Sequence, residues 1–334
     1  MKIENCSCLV TGGAGFIGSH LVDELVKREC RVRVLDNLSN GKLENLKMPL
    51  STNKVELIRG SITDPFDVRN ALSGIDIVFH LACLGVRHSI NHPFENHRVN
   101  AEGTLYVLEA ARQSHAKRFL YCSSSEIYGT AETVPMSESH PARPCTVYGG
   151  SKLAGEAYTR AYYKTYNFPT MIVRPFNTYG PRSHYEGDAG EMIPKSIVRA
   201  LNNEPILVFG NGEQTRDFTF VRDTATAIVS AIECDEIIGQ TLNIGSNFEI
   251  SIKDLAQKLI RLIGESKSSI KFTPSRPGDV LRLYADCRRF EDITNWHSSI
   301  EFDDGLRETI DYFRNHSSGL ERLLESESGR NWEN

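Results

Sequence analysis

The chain has 334 residues, 40% hydrophobic and 24% charged, an ordinary globular balance that suits one large domain or two sharing a cleft. A formal net charge of -5 and a pI near 6.1 argue against nucleic acid or an anionic membrane surface as partner. No apolar run is long enough to span a membrane, and Cys6-Ser-Cys-Leu-Val10 reads as a first strand rather than a secretory leader, so a cytoplasmic location is expected. The 8 cysteines include no CxxC pair and no zinc spacing with histidine, so free thiols and no metal site are expected.

Short apolar, β-branched runs predict strands at 7–11, 32–36, 55–59, 75–81, 118–123 and 170–174. Helical patterns fall between them at 15–27, 65–71, 101–113 and 148–166. Regular alternation of this kind implies an α/β fold, a doubly wound parallel sheet of Rossmann type. After Pro175 the segments shorten and loops rich in Gly and Pro appear, as in Phe209-Gly-Asn-Gly212. A smaller C-terminal domain interleaved with the first is expected, ending in a helix over 305–324.

Thr11-Gly-Gly-Ala-Gly-Phe-Ile-Gly18 follows the first strand and opens the first helix, the context a dinucleotide fingerprint requires. Glycines at 12, 15 and 18 let the backbone approach a pyrophosphate, and the helix start at Phe16 and Ile17 offers free N–H groups to it. Asp36 ends the second strand, where a carboxylate accepts from ribose hydroxyls and repels a 2′-phosphate. Asn37, not arginine, follows it, so NAD is expected rather than NADP.

A second motif lies about 130 residues on: Tyr148-Gly-Gly-Ser-Lys152, preceded by Ser123-Ser124-Ser125. A tyrosine has an ordinary pKa of about 10 and is a poor base at neutral pH. Lys152, four residues on, shares its helical face and favours the phenolate. Tyr148 can then take a proton from a sugar hydroxyl, with Ser124 sharing the hydrogen bond, as the carbon gives hydride to NAD.

With both motifs in this order, the chain resembles the extended short-chain dehydrogenases/reductases of the nucleotide-sugar epimerase/dehydratase family. The resemblance covers nearly the whole chain and also rests on His80-Leu-Ala82, Asn100-Ala-Glu-Gly-Thr104, Arg174-Pro-Phe-Asn-Thr-Tyr-Gly-Pro181, Arg216-Asp-Phe218 and Arg276-Pro-Gly-Asp279. It implies that Leu81, Ala82, Asn100 and Lys152 contact the cofactor. It also implies that Asn177, Arg216 and Arg276 hold the diphosphate of a sugar nucleotide, Asp279 its ribose, and Phe209 its base. Where relatives carry Gly-Asp beside the adenine, this chain has Gly60-Ser61, followed by Ile62. Residues 1–175 are then the NAD-binding domain with the catalytic Ser, Tyr and Lys, and 176–334 mainly the nucleotide-sugar domain. A homodimer is implied through helices 101–113 and 148–166, with Ala154, Ala157 and Ala161 as a small-residue stripe.

The family shares oxidation at C4 to a 4-keto sugar. Glu126 stands two residues past Ser124, where resembling 4,6-dehydratases and uronate decarboxylases carry glutamate. It is expected to do acid/base work at C5. Ser125, a substrate contact, replaces the aspartate of some dehydratases, and Gly85-Val-Arg-His-Ser-Ile90 is similar to uronate 4-epimerases. A nucleotide-sugar 4-epimerase with NAD recycled is therefore the alternative. A non-catalytic NAD-binding sensor is more remote, since Tyr148 and Lys152 are both intact.

Overall fold

The computed structural model describes residues 1–276, 278–327 and 329. Pro277 of the Arg276-Pro-Gly-Asp279 motif, Ser328 and residues 330–334 of the expected second domain lie outside them. In chain order the strands are β1 Ser7–Thr11, β2 Arg31–Asp36, β3 Val55–Arg59, β4 Ile77–His80, β5 Arg118–Cys122, β6 Thr170–Pro175, β7 Asn177–Tyr179, β8 Ile206–Phe209, β9 Thr215–Phe220, β10 Thr241–Ile244, β11 Glu249–Ser251, β12 Ile270–Thr273 and β13 Arg282–Leu283.

Seven of these form one parallel sheet in the order β10-β6-β5-β4-β1-β2-β3. Its strands are short and apolar because both faces are covered. Side chains alternate between two cores. Val10, Val34 and Phe79 point to one face, under helices Phe16–Lys27 and Val221–Glu233. Leu9, Leu35 and Val78 point to the other, under Pro65–Leu72 and Gly103–Gln113. From β1 the chain winds first to β2 and β3, then crosses back to β4. That reversal opens a crevice at the carboxyl ends of β1 and β4, where open α/β sheets bind ligands.

The chain beyond 176 contributes to this sheet. β10 pairs with β6, and helix Val221–Glu233 packs on Phe16–Lys27. The sheet is thus completed by residues far past Pro175. The smaller unit holds β11-β9-β13 with β7 on β9, and β8 with β12. Its core joins Ile193, Ile197, Leu255, Leu259, Ile310 and Phe313.

Three expectations are corrected. Residues 305–324 fall in two helices, Phe302–Arg314 and Leu320–Ser326: the first ends at Asn315, outside helical geometry, and Gly319, with φ +77, opens the second. The helix expected from 101 starts at Gly103, after a wider π turn over Arg98–Glu102. Segments after Pro175 include full helices, among them Met192–Leu201 and Ile252–Ile263, whose apolar residues recur at helical spacing. Among the described residues, no helix is long and apolar enough to cross a membrane.

Candidate active site

A cavity of about 500 Å³ occupies the crevice and extends between the sheet and the smaller unit. At its floor the first glycine turn is sterically closed to other residues. Gly12 has φ +71, and a Cβ there would lie 2.8 Å from the Ala82 backbone. A Cβ on Gly18 would lie 2.1 Å from the Gly12 carbonyl oxygen. Gly15 then starts helix Phe16–Lys27 with no acidic side chain in its first turn. The N–H groups of that turn have no partner within the helix and suit a pyrophosphate.

Asp36 closes β2 almost fully buried, and each of its oxygens accepts one backbone N–H, from Ala14 at 2.9 Å and Leu38 at 2.8 Å. These bonds fix the carboxylate with lone pairs to spare for ribose hydroxyls. Burial raises its pKa, and the two backbone bonds pull against that. Asn37, Ser61, Ile62, Leu81 and Ala82 line the same half of the cavity. Ser61 takes up the missing aspartate's place differently: its N–H donates to Asp67 at 2.8 Å, and its hydroxyl pairs with Thr63 at 2.8 Å.

Asn100 departs from expectation. It does not line the cavity but sits behind its wall, 1% exposed, with its amide spent on Leu84 N at 2.8 Å, Leu84 O at 2.9 Å and Asn96 at 3.1 Å. It shapes the loop after β4 rather than facing a cofactor. His80 does similar work at the strand end, bridging Thr11 at 2.7 Å and Thr104 at 2.9 Å. Burial, then the charge of Lys152, pushes His80 down to about 3, so it stays neutral.

Helix Val147–Tyr166 starts on Thr146, whose hydroxyl accepts from Gly149 N at 3.1 Å. A side-chain cap of this kind fixes the helix start. Tyr148 and Lys152 therefore share one face of its first turns, beside the end of β5 that carries Ser124. Lys152 Nζ donates to the Cys122 carbonyl at 2.7 Å and lies 4.9 Å from the Tyr121 ring centre. Burial opposes its charge, but Tyr121, Cys83 and Tyr148 outweigh burial and keep it protonated. Burial also raises the Tyr148 phenol, with Cys83 adding to it. Lys152 and the hydrogen bond to Ser124 pull the other way.

Glu126 follows Ser124 in a single 3-10 turn, Ser125–Ile127. Its backbone N–H donates to Ser124 Oγ at 3.2 Å, while its carboxylate makes no hydrogen bond or ion pair among the described residues. It lines the cavity close enough to Tyr148, Arg87 and Arg216 to act on their protonation. Ser125 is buried beside it.

On the far side stand Asn177, Phe209, Arg216, Arg276 and Asp279. Asn177 lines the cavity, and its Nδ2 is buried with no hydrogen-bond partner among the described residues. Arg216 and Arg276 both converge on Asp279 Oδ1, at 3.0 and 2.7 Å. Phe209 is held by its carbonyl, which accepts from Gln214 Nε2 at 2.8 Å. Arg87 and Glu191 are among the cavity residues that sequence reasoning left without a role. Arg87 lies in the 85–90 segment, which drew notice without a role for the side chain. Glu191 begins helix Met192–Leu201, and only its place before an apolar helical run marks it.

A parallel sheet with a glycine turn at its switch point and a Ser/Tyr/Lys cluster beside it defines an NAD-dependent enzyme of the short-chain dehydrogenase/reductase type. Comparisons with known proteins sharpen the class. The profile described as GDP-mannose 4,6 dehydratase matches residues 9–309. The chain is 34% identical to a putative UDP-glucose 4-epimerase of Methanocaldococcus jannaschii over 92% of this chain and 99% of the relative. It is also 34% identical to a UDP-N-acetyl-alpha-D-glucosaminuronate decarboxylase of Bacillus cytotoxicus, over 92% and 97%. Among solved structures, a dTDP-glucose 4,6-dehydratase of Streptomyces venezuelae with NAD and TYD bound matches with a TM-score of 0.89 at 29% identity, over 95% of this chain and 99% of that one. The chain belongs to the GDP-mannose 4,6 dehydratase family of extended short-chain dehydrogenases/reductases, NAD-dependent enzymes that modify nucleotide sugars.

Proposed function

We propose that the chain oxidises a nucleotide-diphosphate sugar at C4 and then works at C5 through Glu126, as a 4,6-dehydratase or a uronate decarboxylase. Tyr148 takes the proton of the C4 hydroxyl, with Ser124 sharing the hydrogen bond and the Lys152 charge favouring the phenolate. NAD, when bound, supplies the acceptor for the C4 hydrogen. The resulting C4 ketone stabilises charge at C5. In dehydration Glu126 takes the C5 proton and passes it to the C6 hydroxyl, which leaves as water; the hydride taken from C4 then returns to C6 while C5 takes a solvent proton. In decarboxylation the C5–C6 bond breaks, carbon dioxide leaves, C5 takes a solvent proton by way of Glu126, and the hydride taken from C4 returns to C4.

The observation that carries this reading is the unpaired Glu126 carboxylate in the cavity beside Tyr148. A glutamate kept only for structure would be expected to bind backbone amides, and this one binds none among the described residues. Glu126→Gln is expected to reduce NAD in the presence of substrate and then stall, with the reduced nicotinamide signal persisting. Solvent deuterium should enter C5 in the parent's product. A product of unchanged mass, inverted at C4 and free of deuterium, contradicts the proposal and selects the 4-epimerase.

A homodimer belongs to the same reading. Phe94 is 90% exposed and Leu105 37% exposed. Ala157 and Ala161 face outward from helix Val147–Tyr166 instead of packing on the sheet, and Ala154 is half-buried. A second copy would cover this apolar face. A monomer mass in light scattering at micromolar concentration overturns it.

A further inference from the structure

Arg87 differs from the other cavity arginines. Arg216 and Arg276 are both tied to Asp279. The Arg87 guanidinium makes no hydrogen bond and no ion pair with any described residue. Burial, reinforced by Arg276, pulls it down to about 10, so it is still charged at neutral pH. A half-buried guanidinium that lines a cavity and has no partner among the described residues is a group that a ligand can complete.

Its place in the fold says which part of a ligand it meets. Arg87 lies in helix Val86–Asn91, after β4, and Glu126 follows β5, the adjacent strand. Both therefore project from the wall that carries Ser124 and Tyr148, where the sugar's C4 has to lie. Arg216 and Arg276 belong to the opposite, smaller unit with Asp279. Arg87 lines the same cavity as Glu126 on its own wall and as Glu191, Arg276 and Asp279 across from it, and the charges of all four reach it, which sets it between the reacting groups and the diphosphate side. A hexose held at C4 and at its C1 diphosphate turns its C6 substituent into that interval. A hydroxymethyl group would leave the guanidinium unpaired, whereas a carboxylate matches its fork. The cation also answers a second need. A C6 carboxylate beside Glu126 would be repelled unless a positive charge stood within reach of both.

We propose that Arg87 selects a nucleotide-linked uronic acid by pairing with its C6 carboxylate. This rests on the C4 and C5 chemistry proposed above. Glu191, at the head of helix Met192–Leu201, makes no side-chain hydrogen bond among the described residues and is the carboxyl that acts on Arg87 from the opposite wall. The substrate carboxylate takes over that role when it binds.

The test uses NAD-loaded enzyme and calorimetry with neutral and acidic nucleotide sugars in pairs: UDP-glucose with UDP-glucuronic acid, GDP-mannose with GDP-mannuronic acid, and dTDP-glucose with dTDP-glucuronic acid. UDP, GDP and dTDP are titrated alone. In at least one pair the acidic sugar should bind about tenfold tighter or more than the neutral one. Arg87→Gln should remove that preference while the nucleotide diphosphate alone binds within about twofold of the parent. Arg87→Lys, which keeps the charge without the fork, should retain part of it. Equal binding of neutral and acidic sugars in every pair overturns the proposal. So does an Arg87→Gln loss that is as large for the nucleotide diphosphate alone, which would put the guanidinium on phosphate. NAD reduction reads the underlying proposal separately. A neutral sugar that reduces NAD and binds as well as its acid sinks the Arg87 role and leaves C4 oxidation standing. No reduction with any sugar sinks C4 oxidation, while the affinities still decide Arg87.

Discussion

The Ser123 hydroxyl donates to Glu156 Oε1 across 2.6 Å in the interior of the chain. Ser123 precedes Ser124, and Glu156 follows Tyr148 and Lys152 at intervals of four along one helix. Arg174, near the end of β6, closes on the same carboxylate with bonds of 2.8 and 2.7 Å and donates to the Tyr128 hydroxyl at 2.7 Å. One buried carboxylate thus joins the serine loop, the catalytic helix and the strand that leads to Asn177.

Glu156→Gln should therefore lower both stability and turnover. It leaves Arg174 buried beside a neutral amide, a loss of about 3 kcal/mol. Denaturant unfolding measures that loss, and kcat should fall more than NAD affinity. Burial opposes ionisation of Glu156, but Arg174, Ser123 and Arg160 outweigh it and hold its pKa below the ordinary glutamate value. A carboxylate depressed in the folded state stabilises above its unfolded pKa of about 4.3, and that stability goes as pH falls through the folded value. The variant should then lose less stability on acidification than the parent. Equal acid sensitivity would remove Glu156 from this role.

Tyr148→Phe should cut kcat by about 10²–10⁴ while thermal stability and NAD affinity stay near the parent's. Because burial raises the Tyr148 phenol, the parent's kcat/KM should climb with pH on the alkaline side. Activity within a few-fold of the parent would exclude Tyr148 as the base.

Gly41→Ala probes the seat of Asp36. A Cβ at position 41 would lie 2.8 Å from Asp36 Oδ1 and 2.9 Å from the Ala14 side chain. Relieving that contact should displace the carboxylate, weaken NAD binding about tenfold and cost about 1–3 kcal/mol. The parent should bind NAD far more tightly than NADP, and the variant should lose part of that preference. Calorimetry with both cofactors decides it, and equal affinity of the parent for NADP contradicts the Asp36 assignment.

Glu191→Gln should stabilise the protein most at alkaline pH. Burial raises Glu191 to about 7 against the opposing charge of Arg87. A carboxyl raised above its unfolded value contributes stability fully present below that value and lost as pH rises through the folded one. Glutamine never ionises, so the melting-temperature gap between variant and parent should widen from about pH 5 to about pH 8. A constant gap across that range would show that Glu191 does not titrate there.

By itself the sequence determined the parallel sheet up to Pro175 and the motif residues of the cavity. Strand and helix periodicity is local, and Gly12, Gly18, Asp36, Ser124, Tyr148 and Lys152 each sit at a fixed offset from a strand end or helix start. Tertiary structure alone placed β10 against β6, turned Asn100 away from the cavity toward Leu84, and split the last helix between Arg314 and Leu320. It also brought Arg87, Glu126 and Glu191 around one space from three separate segments. No local pattern records such a meeting, because it depends on which loops converge at the carboxyl edge of the sheet once strands and helices more than a hundred residues apart have packed.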